Sequence, residues 1–256
     1  MKKLNIVLPA HNEHNNISPI YKEIILALAS CKYPYEILFI DDGSTDDTLA
    51  QIKALSAEDS KVKYIELSRN FGHQNALKAG LDMCNADIII MMDCDLQHPP
   101  ILIQELLSHY EEGYDIVRTR RVENESAGFI KRKTSNLFYK FLNELSDITL
   151  EQGSADFRLV SGKAIDQLKS FNEYDLFYRG LIKWMGFKQV SLAYYPEQRL
   201  SGQTKYSVKK MISFGLKGFT SFSTKPLYFA AYLGLIFSLL STLSIPYIIH
   251  AFYTGT

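Results

Sequence analysis

Asp93 and Asp95 stand two residues apart, directly after the apolar run Ile88-Ile89-Ile90-Met91-Met92. On a strand the side-chain period of two sends residues at that spacing to the same side, so this pattern predicts two carboxylates aimed together. Paired hard oxygens suit Mg²⁺ or Mn²⁺, ions that commonly combine one or two carboxylates with substrate phosphates. The structural alternative is a turn or helix cap, with Asp95 ending one element ahead of Pro99-Pro100. Placement after a buried strand favours the metal.

Three further constellations carry polar chemistry. Asp41-Asp42-Gly43-Ser44-Thr45-Asp46 places two acids before a probable glycine turn. Ser44, Thr45 or Asp46 could cap the next helix, whereas Asp41 or Asp42, equal in rank, could bond a base or ribose edge. Ser154-Ala155-Asp156-Phe157-Arg158 sets one acid and one base beside a strand. Two readings stay open there: a local ion pair worth little at a surface, or a carboxylate facing an acceptor. Arg199 to Tyr206 has Gly202 for a turn, with Arg199 and Lys205 able to clamp phosphate oxygens or to face anionic lipid. No glycine-rich dinucleotide fingerprint and no Walker loop occurs, so phosphates are expected to be held by metal and cations. His11, His14, His73 and His98 lack a metal-ligand spacing and read as solvated or hydrogen-bonded loop residues. No nucleic-acid motif is present.

The elements that must position these residues are short apolar runs alternating with amphipathic stretches. Leu4 to Leu8, Glu36 to Ile40, Val62 to Leu67 and Asp87 to Met92 read as strands separated by helices, which predicts a largely parallel α/β sheet. Ile37 to Ile40 and Ile88 to Met92 do not alternate, as expected of strands covered on both faces. In such sheets ligands bind beyond the carboxyl ends of the strands, where Pro9-Ala10-His11-Asn12-Glu13 joins the two acidic segments. The stretch from Arg118 to Lys133 reads as a loop entering a helix that runs to about Leu145.

Lys+Arg and Asp+Glu both total 28 among 256 residues. The balance is uneven: beyond Glu197 the chain has six cations and no acid, so the first 197 residues carry −6 and the rest +6. The basic stretch leads into Pro226 to Thr256, which has no charged residue and is mostly apolar from Leu227 to Ala251. That exceeds the roughly 20 residues a membrane-spanning helix needs. A buried core helix is the alternative, but one of this length usually keeps a polar face. Pro246 is expected to kink the helix near its far end. Lysines on the near flank predict that the large domain stays in the cytoplasm. The apolar run at Leu4 is too short for a cleavable signal peptide. Cys31, Cys84 and Cys94 indicate neither a disulfide framework nor a zinc site, in keeping with a reducing compartment.

Taken in order, these segments resemble family 2 glycosyltransferases of the GT-A fold, a Rossmann-like, mostly parallel sheet flanked by helices. The nearest likeness is to the polyprenyl-phosphate branch, with its bactoprenol glucosyltransferases and dolichol-phosphate mannose synthases. The resemblance implies that Pro9, Ala10, Asn12, Glu13, Asp41 and Asp42 line a nucleotide-sugar pocket. It implies that Asp93, Asp95 and Gln97 meet ribose, metal and diphosphate. Asp156 and Asp95 would serve catalysis, and Arg158, Arg199 and Lys205 would hold phosphate. His11 replaces an expected tyrosine and Cys94 an expected alanine, changes that tune the pocket. The expected organisation is a catalytic domain over residues 1–204, a basic amphipathic juxtamembrane segment over 205–225 and a transmembrane segment over 226–256. The bacterial branch commonly carries a second span, for which a homo-oligomer could substitute. The expected reaction moves glucose from UDP-glucose to undecaprenyl phosphate with inversion, using Mg²⁺ or Mn²⁺ at the cytoplasmic face of the inner membrane. Alternatives are a GDP-mannose donor, a saccharide acceptor, or a membrane-anchored nucleotide-sugar sensor without turnover. The Gln-x-x-Arg-Trp signature of processive synthases is absent around Trp184, the only tryptophan.

Overall fold

The computed structural model describes residues 1–122, 153–171, 173, 177–195 and 223–255. Its centre is a seven-stranded sheet ordered β3-β2-β1-β4-β6-β5-β7. The strands are β1 (Leu4–Ala10), β2 (Tyr35–Asp41), β3 (Val62–Glu66), β4 (Ile88–Met91), β5 (Ile116–Arg121), β6 (Ser154–Ser161) and β7 (Gln189–Tyr194). Helices α1 (His14–Ala27), α2 (Thr48–Glu58), α3 (His73–Met83), α4 (Ile103–Glu111), α5 (Gly162–Lys169), α6 (Tyr178–Trp184) and α7 (Lys225–Thr254) accompany them, with a 3₁₀ turn at Pro100–Leu102. The four strands predicted from sequence all form. Arg118 to Arg121 is a correction: these residues close β5 rather than open a loop, because Ile116 and Val117 are fully buried and draw the arginines into the ladder. Residues 123–152, where the predicted helix lies, fall outside the described set.

Strands β3, β2, β1 and β4 pair in parallel, and β5 pairs in parallel with β7. Strand β6 alone runs against its neighbours β4 and β5. Alternate residues feed two cores. Ile6, Leu8, Ile88 and Ile90 pack on one side with α1 and α4, while Val7, Ile89 and Met91 pack on the other with α3 and α5. This explains the unbroken apolar runs: both faces are covered, and each fully buried isoleucine contributes about 2 kcal/mol of burial. Truncating Ile90 to alanine would cost about 3 kcal/mol. Helix α3 lies so close to the sheet that a Cβ on Gly80 would stand 2.7 Å from Ile40 Cδ1 and 2.8 Å from Val7 Cγ1.

The C-terminal helix α7 has 30 residues, about 45 Å at the helical rise, and continues through Pro246. Its segment Leu227–Thr254 has a mean hydropathy of 1.8 and no buried share, so it is long and apolar enough to cross a membrane. The core-helix alternative does not hold, since its leucines, isoleucines and aromatic residues stand exposed.

Candidate active site

The carboxyl ends of β1, β2, β4, β5 and β7 and the start of β6 face one edge of the sheet, which is where the predicted residues gather. Pro9 and Ala10 close β1 beside Ile40 and Asp41 of β2. Gly43 turns the chain after β2 with φ +61°, and a Cβ there would lie 2.4 Å from the backbone carbon of Arg69. Glycine is required by conformation and by space alike. Asn12, itself at φ 54°, ties the β1 and β2 loops together. Its amide donates to Ser44 Oγ (3.0 Å), and its side-chain oxygen accepts from the Thr45 amide (2.8 Å). The Glu13 amide donates to Thr48 Oγ1, and Asn16 Nδ2 donates to the Glu13 carboxylate.

The two acids of equal rank in sequence part company here. Asp42 is buried and both of its oxygens accept from backbone amides, Phe71 at 2.7 Å and Gly72 at 2.9 Å. It fixes the loop that leads into α3. Asp41 is equally buried; among the described residues its side chain accepts from the Ser44 amide at 3.2 Å, and its Oδ1 has no partner there. An unpartnered buried carboxylate oxygen is costly unless a ligand satisfies it, so of the pair Asp41 is the one that keeps an oxygen open to a ligand.

Strand β4 ends at Met91, so strand alternation does not align Asp93 with Asp95, as the sequence reading expected. A tight turn does, with Leu96 held at φ 57° and the Gln97 amide donating to Asp95 Oδ1 at 3.1 Å. The left-handed backbone at a buried leucine is strained, of order 1 kcal/mol, and the surrounding packing holds it. Asp93, Asp95 and His98 each present one ligand atom, all within 4.8 Å of one another. The two carboxylates in that space fit Mg²⁺ or Mn²⁺, with the imidazole placed either to join them or to hold Asp93. Asp93 also accepts from His73 Nε2 at 2.8 Å and meets His98 Nε2 at 3.2 Å. Burial opposes its ionisation, but the two histidines win and hold its carboxyl well below the usual range. His73 is raised in return: burial lowers it, and the Asp93 charge outweighs that. Cys94 is buried between the acids, where burial pushes its thiol well up and leaves it unreactive.

Met91 pairs with Arg158 across the β4–β6 ladder, which brings Asp156, two residues earlier, level with Asp93. The Asp156 pair is buried, not the surface pair of the sequence alternative. Arg179 of α6 grips both oxygens, Nε at 3.1 Å and Nη2 at 2.8 Å, and Arg158 Nη2 donates to the same carboxylate. Although burial favours the neutral acid, the two guanidinium groups hold Asp156 well below the carboxylate range. Arg158 is buried, also donates to the Ala155 carbonyl at 2.9 Å, and is lowered by burial to about 10. Arg199 and Lys205 lie outside the described residues.

His98 is the hydrogen-bonded member of the sequence reading's two alternatives, fully buried, and it stands with Asp93 and Asp95 where no metal-ligand spacing was seen; Arg121, Arg179 and Tyr194 complete the site in ways the sequence reading missed. Adjacency in the Asp93 to Pro100 segment was a local signal for His98. The others arrive from distant elements: Arg121 and Tyr194 through the pairing of β5 with β7, His73 from the start of α3 and Arg179 from α6.

A glycosyl transferase family 2 model matches residues 5–168. An uncharacterized glycosyltransferase, YkcC of Bacillus subtilis, is 40% identical over 234 residues, covering 91% of this chain and 72% of the relative. A prophage bactoprenol glucosyl transferase homolog of Escherichia coli K12 is 38% identical over 234 residues, covering 91% and 76%. Among solved structures, the mannosyltransferase PcManGT from Pyrobaculum calidifontis, in complex with GDP-Man and Mn²⁺, superposes with a TM-score of 0.53 at 15% identity, covering 79% of this chain and 58% of that one. That likeness is one of fold. The family match runs from β1 into α5 and includes every described acid of the site, so the chain belongs to glycosyltransferase family 2, as a hexosyltransferase that draws on a nucleotide-sugar donor.

Proposed function

We propose that this enzyme transfers a hexose, glucose from UDP-glucose, to undecaprenyl phosphate with inversion, at the cytoplasmic face of the inner membrane. The observation that carries the acceptor is the state of Asp156. A carboxylate gripped by two arginines and held far below the usual range cannot take a proton from a sugar hydroxyl. The acceptor must therefore arrive as an anion, and a phosphomonoester with a second pKa near 6 does so at neutral pH. The E. coli relative's name points to the same lipid class, and α7 supplies a span beside which such a lipid would lie.

Each residue then has a role. Asp41 offers its open oxygen to the base or ribose of the donor, with Pro9, Ala10, Asn12 and Glu13 forming the rim. Asp93 and Asp95 hold Mg²⁺ or Mn²⁺, and Gln97 stands beside the diphosphate. When bound, the ion offsets charge on the diphosphate as the nucleotide leaves. Asp156 keeps Arg179 and Arg158 in place next to Asp93, so that their charge orients an incoming phosphate. Arg199 and Lys205 would add phosphate contacts from the segment leading to the membrane. Residues 1–204 form the catalytic domain, 205–225 the juxtamembrane segment and 226–256 the anchor in this reading.

The test is transfer of radiolabelled glucose from UDP-glucose to undecaprenyl phosphate by the purified full chain with Mn²⁺. A labelled lipid is expected. Absence of label on that lipid with every common nucleotide-sugar donor would refute the reading, and donor binding without turnover would identify a sensor.

A further inference from the structure

Behind Asp93 lies a buried polar chain whose members come from three separate strand ends or loops. The His98 ring is fully buried between Phe157 (centroids 5.5 Å) and Tyr194 (5.7 Å). Its Nδ1 is 2.5 Å from Tyr194 Oη, and its Nε2 is 3.2 Å from Asp93 Oδ2. Arg121, which pairs with Tyr194 across the β5–β7 ladder, donates from Nε to Tyr194 Oη at 3.1 Å and brings Nη2 to 3.3 Å from His98 Nε2.

Donor counting decides the direction of this chain. Arg121 can only donate, so Tyr194 Oη accepts from it and turns its own proton elsewhere. Among the described residues, the acceptor within its reach is His98 Nδ1. The imidazole proton then sits on Nε2 and is donated to the Asp93 carboxylate. In the opposite tautomer Nε2 would accept from Arg121 Nη2 at 3.3 Å, but its lone pair would also face the Asp93 oxygen at 3.2 Å and the tyrosine hydroxyl would lose its partner; with the proton on Nε2, the Arg121 Nη2 approach is the one contact that goes unused. Burial also pushes the Tyr194 hydroxyl up to about 12, which keeps it a neutral donor.

We infer that Tyr194, with Arg121 behind it, fixes His98 as a proton donor to Asp93, so that His98 positions the metal carboxylate and does not itself ligate the ion. The inference rests on the metal-dependent reading above. It assigns a task to two residues beyond ordinary strand packing, one of them, Tyr194, outside the stretch matched by the family model. Partners of this kind, one bond behind a ligand, typically alter metal affinity by about 10- to 100-fold when removed. Tyr194→Phe removes the hydroxyl and keeps the ring contact with His98.

The experiment measures Mn²⁺ binding directly, from the electron paramagnetic resonance of the free ion, to full-chain protein in the presence of UDP. Steady-state rates are taken at limiting and saturating Mn²⁺ alongside. Tyr194→Phe is expected to weaken Mn²⁺ binding about tenfold and to recover most of kcat at saturating metal, with a melting temperature lowered by only a few degrees for the buried hydrogen bonds lost. Arg121→Gln leaves the tyrosine in place and is expected to weaken binding by about threefold. If Tyr194→Phe does not fold, Arg121→Gln decides alone. Mn²⁺ affinity equal to or tighter than wild type in the folded variants overturns the inference, as does a loss of kcat that saturating Mn²⁺ does not restore. Wild-type protein that binds no Mn²⁺ in the presence of UDP overturns it together with the metal-dependent reading, whereas wild-type binding with unchanged variants sinks the inference alone.

Discussion

Two acidic clusters share one edge of the sheet and are wired in opposite ways. After β2, Asp42 and Asp46 direct their oxygens mostly at the protein's own backbone and caps: Asp42 to the amides of Phe71 and Gly72, Asp46 to the amide and hydroxyl of Thr48 and to His14. After β4 and at the start of β6, Asp93 and Asp156 bond cationic or protonatable side chains, His73 and His98 in one case and Arg158 and Arg179 in the other. The first cluster builds the loops. The second concentrates charge where a phosphate-bearing substrate can exchange with it. Acids of one type, at like positions on neighbouring strands, acquire different tasks through what they bond.

Substitutions sharpen that contrast. The largest expected effect is on chemistry: Asp95→Asn should lower transfer by about a thousandfold, several kcal/mol of lost charge stabilisation, while shifting the melting temperature little. Rates and melts on the same preparation check this. Asp156→Asn should act on both rate and stability, because it leaves the buried Arg158 short of its counter-charge. About 3 kcal/mol of destabilisation is expected, much of it recovered in the double variant with Arg158→Met. Chemical denaturation of the wild type and of both variants measures it.

In the loop-building cluster, Asp42→Asn removes an acceptor from one of two amides and should cost about 2 kcal/mol with donor affinity changed only through the loop. Asp41→Asn should do the reverse, leaving stability close to wild type and weakening UDP binding by calorimetry. Equal phenotypes for the two would dissolve the distinction drawn from their hydrogen bonds. The smallest effect is a pH dependence. Burial pushes the Asp46 carboxyl up, but the bonds from Thr48 and His14 prevail and hold it at about 2. A depressed folded-state value means stability that is complete above about pH 4 and lost as pH falls toward 2, at most about 2 kcal/mol. Asp46→Asn should flatten that part of the stability curve.

Much of this was legible in sequence because it is local. The runs Ile37 to Ile40 and Ile88 to Met92 announce strands buried on both faces, Gly43 announces its turn, and the uncharged stretch from Pro226 announces α7. The chemistry of Asp93 and Asp95 is likewise carried by neighbours in the chain. What could not be read depends on pairing at a distance. The reversal of β6, which sets Asp156 beside Asp93, has no mark in the composition of Ser154 to Ser161. Arg121 looked like part of a basic loop because its strand partner, Tyr194, lies 73 residues away. The ranking of Asp41 against Asp42 was open for the same reason: the amides of Phe71 and Gly72, which engage Asp42, belong to another loop.

The central claim is that the acceptor reaches this site already anionic, because Asp156, gripped by Arg158 and Arg179, is not available as a base. A competition assay tests it most directly, with undecaprenyl phosphate, undecaprenol and free glucose offered together to the full chain with UDP-glucose and Mn²⁺. The account predicts label on undecaprenyl phosphate alone, with the rate falling about tenfold per unit as pH drops below about 6, where the phosphate gains its second proton. Label on undecaprenol or glucose at a comparable rate would contradict it.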